Sequence, residues 1–531
     1  MNFLVFILSF CSVSYQILLS YIIADVSESS HVFVYSLTAG VYFLSLGIGA
    51  YIYNTFFSKK ELGLLIKIES WLIFLVPIFI FGIYISAIIF SVIVGPWMQS
   101  ELNLFYYKNI LLVFCLQFFV IIIGILSGFE LPIFLKISPK TGMIIFLNYV
   151  AGLFAGLLLP IFIIPNIDFF GSFLFVSYLN FFILAYLIYY YKVFFVKNIL
   201  LLVSLSVALF LSASYKDNIF NFYLKTHYFN AELNKNNNIF DLKNIFNKIS
   251  NIEHFRTKYQ SIDVISPYTT RKLPDIFKTF SIFLDKKTQI NLLDWRVYHE
   301  SMVAGSINLF KKNPKKILVL GGGDGLIVSQ ILKFIPNSQR IDWVELDPKV
   351  MQFFKNLSPL NLINKSAFSS KKVYSYIEDA FHFVKNSKNK YDAIFIDFPL
   401  PFNQDLSRLY SVEFYKLLAK ILSKNSYIVA DVLLITKKNY IFPKNFILPQ
   451  SIFSSTLKDA GFKSVFFYGP EEPFLFAQIN KKSLSFNFKK LSKKISTKTK
   501  KNLIKLNNNS LGVKIKKEYI NSIFKPMSFI P

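Results

Sequence analysis

The sequence predicts a chain of two parts: an all-helical membrane part, then an α/β part built on a mostly parallel, doubly wound sheet with a small β-rich lead-in. Three observations predict it. Of the 531 residues, 53% are hydrophobic, too many for an ordinary soluble chain. The apolar excess is concentrated before about residue 215, after which Lys, Asn and Asp mix with short apolar runs. From residue 251 onward strand-like and helix-like segments alternate, and a glycine-rich turn follows one of the strands.

A stretch of about 18 apolar residues is long enough to cross a hydrocarbon core as a helix. Seven segments are predicted to do so, at 3–23, 32–53, 64–94, 110–127, 143–164, 170–190 and 199–211, the last the shortest and weakest. The first lacks a basic n-region and a small-residue cleavage site, and further spans follow it, so it is expected to stay in the mature protein. Lysines flank alternate breaks, at Lys59-Lys60, at Lys136 and Lys140, and at Lys192 and Lys197, which places those breaks in the cytoplasm. Glu130 and Asn148 fall at membrane depth or near a helix end, where a polar group is costly and carries a functional expectation. Gly152 and Gly156, four residues apart, suit close helix packing.

The net charge of +27 raises nucleic acid as a partner. No aromatic-interleaved basic groove accompanies it, so no nucleic-acid partner is predicted; the lysines thicken over 481–517 and suit anionic lipid headgroups or simple solubility. Two cysteines, Cys11 and Cys115, both within apolar segments, and histidines without ligand spacing predict no disulfide framework and no metal site.

In the α/β part a buried strand starting at Lys316 runs into Gly321-Gly322-Gly323-Asp324-Gly325 and then an amphipathic helix from Leu326. Strand, glycine turn and helix open a nucleotide-binding unit, the glycines allowing backbone geometry and close ligand approach that side chains would block. The next strand ends on Glu345, about twenty residues on, where a carboxylate can accept from both ribose hydroxyls. The missing Walker lysine argues against a nucleoside triphosphate, whereas an adenosyl sulfonium, which has no phosphate, suits a turn containing Asp324. Two more strands end at Asp379, placed to accept from an adenine amino group, and at Asp397. Four acids at the carboxyl edge of one sheet fit a cationic cofactor and a cationic amine.

At this point the chain resembles the spermidine synthase family, specifically its membrane-fused bacterial members. The resemblance rests on Tyr259-Gln260, Tyr298-His299-Glu300, the glycine turn, Val344-Glu345-Leu346-Asp347, Glu378-Asp379-Ala380-Phe381, the strand Tyr391 to Asp397 and Leu409-Tyr410-Ser411-Val412-Glu413-Phe414-Tyr415, and in the membrane part on Tyr35 to Gly40 and Asn148 to Pro165. It implies a Rossmann-like domain of the S-adenosylmethionine-dependent methyltransferase type. It also implies transfer of the aminopropyl group of decarboxylated S-adenosylmethionine to putrescine or a related amine, releasing methylthioadenosine, without a metal. The family pattern, carried over residue by residue, gives cofactor contacts to Gln260, Gly321, Gly323, Glu345, Asp379 and Ala380, amine contacts to Tyr298, His299 and Asp324, and the proton acceptor to Asp397. It further implies a homodimer.

A cytosolic co-substrate places the α/β domain on the cytoplasmic side of the cell membrane, whereas seven crossings and the lysine pattern place it opposite. The two agree if 199–211 does not cross, or if 64–94, interrupted by Pro77, is two helices. The expected boundaries are 1–215 for the multi-spanning part, 216–250 for a linker, 251–310 for the β-rich subdomain, 311–480 for the Rossmann-like domain and 481–531 for a basic tail. The family pattern is broken where Leu400 stands in place of a second acid after Asp397, at Asp294-Trp295, at Ala304 and over Pro473 to Ala477. These departures concern the amine side, and methyl transfer or a non-catalytic membrane transporter or sensor are the alternative functions.

Overall fold

The computed structural model describes residues 2–529 except 28, 30, 58–61, 92–101, 192–195, 234–251, 266–279, 292–294, 310–312, 358–359, 402–403, 436–446, 481–494, 507–510 and 528. The chain divides into two compact units, Met1–Arg256 with Val264–Lys278, and Thr257–Asp263 with Thr279–Pro531.

The first unit is helical: α1 (Asn2–Ser27), α2 (His31–Ile52), α3 (Leu62–Ile89), α4 (Leu102–Ser127), α5 (Glu130–Ile137), α6 (Thr141–Leu158), α7 (Ile164–Tyr190) and α8 (Val196–Leu233). Among the described residues six stretches are long and apolar enough to cross a membrane, and the fifth, Thr141–Tyr190, contains both segments expected at 143–164 and 170–190. It turns at Asp168, whose backbone is non-helical (φ 61°, ψ 174°) and whose carboxylate accepts the Gly171 N–H at 2.6 Å. Pro77 lies inside α3, so that stretch is one helix as far as Ile89. The segment expected to be weakest, 199–211, is part of the 38-residue α8, which continues into the expected linker. No Gly or Pro interrupts 212–233, so nothing stops the helix when the apolar run ends.

Close packing in this unit occurs elsewhere than at the expected glycines. A Cβ on Gly152 would meet Val13 at an ordinary 3.5 Å, and one on Gly156 would meet nothing. On Gly49 of α2 it would overlap the Ile125 carbonyl oxygen, and on Gly128 that of Leu46, so α2 and α4 touch backbone to backbone.

Next in sequence comes a four-stranded sheet of order β1-β2-β3-β4, formed by β1 (Glu253–Arg256), β2 (Ser261–Ile265), β3 (Ser281–Leu284) and β4 (Lys287–Asn291). Asp285 and Lys286, both at positive φ, turn β3 into antiparallel β4. Helix α9 (Trp295–Leu309), assigned by its sequence position to the β-rich subdomain, instead buries Met302, Val303, Ala304 and Leu309 in the same core as Ile317 and Val319.

The second sheet has seven strands in the order β10-β11-β9-β8-β5-β6-β7, from β5 (Lys316–Gly321), β6 (Arg340–Glu345), β7 (Val373–Ile377), β8 (Tyr391–Asp397), β9 (Leu422–Asp431), β10 (Ser464–Tyr468) and β11 (Phe474–Gln478). Strands β7, β6, β5, β8 and β9 run parallel, and β11 is antiparallel to β9 and β10. The central strands are apolar on both faces because both are covered: Leu318, Leu320, Ile394 and Ile396 enter one core, Ile317, Val319, Ala393 and Phe395 the other.

Within the expected basic tail, 481–531, described residues form packed structure. Helix α10 (Thr497–Asn502) and the residues after it pack onto the domain, with Leu503, Leu511 and Phe529 all buried. Isolated apolar residues among lysines give no helical or strand period, so their burial is a tertiary outcome.

Candidate active site

The parallel strands deliver their carboxyl ends to one edge, where β5 passes into the glycine turn. Gly321, Gly322 and Gly325 hold φ of 81°, 64° and 73°, which L side chains rarely adopt. A Cβ on Gly322 would lie 2.8 Å from Asp397 Oδ2, and one on Gly323 2.9 Å from Glu345 Oε2. The turn thus lets carboxylates from two neighbouring strands approach bare backbone. Trp343 Nε1 donates to the Gly321 carbonyl at 2.9 Å and holds the turn from below.

Asp397, ending β8, is 8% exposed, and its Oδ1 accepts the Tyr298 hydroxyl at 2.6 Å. Asp324 turns Oδ1 to the Leu326 N–H at 2.8 Å and Oδ2 to His299 Nε2 at 3.6 Å, while His299 Nδ1 lies 2.7 Å from the Trp295 carbonyl. Asp397 Oδ2, Asp324 Oδ2 and His299 Nε2 are buried without a hydrogen-bond partner. Buried polar atoms are normally satisfied, so three orphans in one charged cluster fit a bound ligand that supplies the missing partners.

Burial and the neighbouring Asp324 carboxylate raise Asp397 to about 6, against the opposing effects of His299 and the Tyr298 hydrogen bond. Burial acts against the His299 imidazolium, yet Asp324 and Asp397 raise its pKa overall. Burial also lifts Glu345 to about 7, although the Asp347 N–H, 3.0 Å away, favours its charged form. Burial, then Asp397, keep the Tyr298 hydroxyl well above its ordinary value, so it serves as a donor.

The structure thus assembles Tyr298, His299, Gly321, Gly323, Asp324, Glu345 and Asp397. Asp379 and Ala380 start a helix after β7, one strand beyond Glu345, and the Glu378 N–H donates to the Glu345 carbonyl at 3.0 Å. The Asp379 carboxylate caps that helix at His382 N, 3.0 Å, and meets Arg408 at 2.6 Å, so an adenine amino group would share it with both. Gln260 lies beside the other sheet, in the Thr257–Gln260 turn before β2, and its described contacts are within that turn. Of the departures from the family pattern, Leu400 is half-buried, Ala304 is core, and Phe474 packs its ring 5.2 Å from that of Tyr298; Asp294 lies outside the described residues.

One residue escaped the sequence analysis. Asp431 ends β9, the strand beside β8, and burial with the Asp397 and Glu472 charges raises it to about 8. Tyr427-Ile428-Val429-Ala430-Asp431 is an apolar strand ending on an acid, the same signal that marked Glu345 and Asp397.

The model of the spermine/spermidine synthase domain matches residues 296–444. The chain is 29% identical over 432 residues to the polyamine aminopropyltransferase of Leptospira interrogans, covering 80% of this chain and 76% of that one, and 28% identical to that of Oceanobacillus iheyensis, covering 77% and 73%. Matches of such length extend beyond the second unit into the helical one. Polyamine aminopropyltransferase 2 of Aquifex aeolicus is 35% identical over 37% of this chain and 38% of its own. A crystal structure of spermidine synthase with the transition-state analogue AdoDATO covers 49% of this chain and 88% of its own at 20% identity and a TM-score of 0.40. Over residues 296–444 the chain is thus similar to the spermine/spermidine synthase domain, and over most of its length to the polyamine aminopropyltransferases of Leptospira interrogans and Oceanobacillus iheyensis.

Proposed function

We propose that this chain is a membrane-embedded polyamine aminopropyltransferase, with the helical unit in the cell membrane and the second unit in the cytoplasm. The observation that carries the chemistry is the buried Asp397, fixed on one oxygen by Tyr298 and free on the other, beside Asp324 and His299. The long relatives, aminopropyltransferases by name, support the activity, and the six apolar stretches support the membrane placement.

The co-substrate is decarboxylated S-adenosylmethionine. The glycine turn admits its adenosyl part against bare backbone, and Glu345 accepts from the ribose hydroxyls. Loss of the carboxylate matters because a site lined with acids would repel it. An amine nitrogen attacks the aminopropyl carbon beside the sulfonium. The C–N bond forms as the C–S bond breaks, its electron pair stays on sulfur, and methylthioadenosine leaves. The proton shed by the nitrogen passes to Asp397 Oδ2. Holding the two reactants together in line supplies much of the acceleration.

The acid missing at Leu400 removes one anchor for a diamine's far ammonium. Asp431 supplies another from the neighbouring strand, so the acceptor is a diamine held in a changed register. Asp397→Asn tests the assignment: methylthioadenosine release from decarboxylated S-adenosylmethionine and putrescine falls roughly 10²–10⁴-fold while adenosyl affinity stays close to wild type. Near-normal turnover would remove Asp397 from its role. Adenosylhomocysteine production from S-adenosylmethionine would replace the reading with methyl transfer.

A further inference from the structure

Glu69 lies in the N-terminal third of the apolar α3, is fully buried, and neither of its carboxylate oxygens has a hydrogen-bond partner. Glu130 opens α5 and is also buried, within electrostatic reach of Glu69. The titratable groups that reach these two acids are Cys11 and Tyr15 of α1 and Tyr42 of α2, none of them cationic. A carboxyl retained for structure would spend its oxygens on neighbouring donors, as the buried Tyr42 hydroxyl does by donating to the Ser12 carbonyl at 2.8 Å. Glu69 does not.

Two acids in one dry compartment cannot both ionise without a compensating cation. A turn between two helices fixes where Glu130 stands. Helix α4 ends at Ser127, Gly128 and Phe129 form a turn, and α5 starts at Glu130 with Pro132 in its first turn. The backbone stays hydrogen-bonded through this turn, with the Gly128 N–H donating to the Gly124 carbonyl at 2.9 Å and the Phe129 N–H to the Leu126 carbonyl at 3.2 Å. The break is positioned firmly, since Gly128 sits against the α2 backbone.

We propose that the helical unit contains a second ligand site, in which Glu69 and Glu130 bind an alkylammonium cation in exchange for protons. Starting from two protonated carboxyls, one proton leaves for each positive charge that enters, and the compartment stays neutral. An ammonium suits it better than a divalent metal. Among the described residues no group of three His, Cys, Asp or Glu is placed to hold a metal ion, and two buried tyrosines, Tyr15 and Tyr42, interact with the acids. The inference uses the proposed membrane placement but not the transfer reaction.

The test uses the full-length protein in phosphatidylethanolamine/phosphatidylglycerol nanodiscs, with dicyclohexylcarbodiimide as a carboxyl probe and peptide mass spectrometry to locate the adduct. Glu69 or Glu130 is expected to be labelled, and putrescine or spermidine at about ten times its Kd to slow labelling about tenfold. Whichever amine protects at the lower concentration identifies the occupant as diamine or triamine. A pH dye should report proton release on amine addition, lost in Glu69→Gln while methylthioadenosine production persists. Absence of labelling at both acids, or labelling indifferent to both amines, overturns the site. Protection by Na⁺ alone overturns the ammonium assignment. The protection experiment on wild-type protein holds whether or not the variant folds, and amine protection without transfer activity would count against the transferase reading alone.

Discussion

In the proposed reaction Asp397 must be ionised to accept a proton, and its pKa is raised to about 6. Activity at subsaturating substrate, kcat/KM, is therefore expected to rise with pH through about 6 and level off above it. The Tyr298 hydrogen bond stabilises the ionised form, so Tyr298→Phe should move this acid limb to higher pH, which a pH–rate profile will read directly. A limb unmoved in that variant would mean that the profile reports another group. Asp431, raised to about 8, is largely protonated near neutrality until an ammonium docks beside it. Asp431→Asn should raise the KM for putrescine roughly tenfold, at the low end of losing a charged partner, and leave the affinity for methylthioadenosine unchanged. An unchanged KM would return the second amine contact to another residue.

Among the elements, the turn from β5 into the following helix has the least tolerance. Gly321 combines a φ of 81° with a missing Cβ that would otherwise strike the Asp397 carbonyl. Gly321→Ala should cost about 1–2 kcal/mol in backbone strain alone, and more from displacing the end of β8. Calorimetric titration with methylthioadenosine should show binding lost, and thermal unfolding a lower midpoint. The two neighbouring acids found by sequence, Glu345 and Asp397, owe their approach to this turn, so one methyl group disturbs both. The turn between α4 and α5 depends on glycine in the same way: Gly128 brings α4 against α2 and so fixes where Glu130 begins.

At the scale of the whole molecule, the last residues close the core of the second unit. Phe529 is 1% exposed and packs its ring at a tilt against Tyr410 and Phe453, and Tyr410 in turn packs on Phe398, the residue after Asp397. Phe529→Ala should destabilise the unit by about 3–5 kcal/mol, measured as a drop in the midpoint of thermal unfolding of the intact protein. A midpoint within a degree of wild type would show that burial of Phe529 adds nothing to the stability of the unit.

Much of this was legible in the residues. Apolar runs must be buried or placed in lipid, and glycines between a strand and a helix mark the close approach of a ligand, so the helical part, the alternating strands and helices, the glycine turn and the acids Asp324, Glu345 and Asp397 could be located by pattern. Local pattern says nothing about partners distant in sequence. Only the tertiary structure joined Tyr298 to Asp397, closed Arg408 onto Asp379, brought Asp431 beside Asp397 and set Glu69 within reach of Glu130. It also carried α8 past the end of its apolar run and buried Leu503, Leu511 and Phe529. A sequence determines which faces seek burial; which residues meet there is decided by the packing of segments far apart in the chain, because contact energies depend on distance in space and not on separation along the backbone.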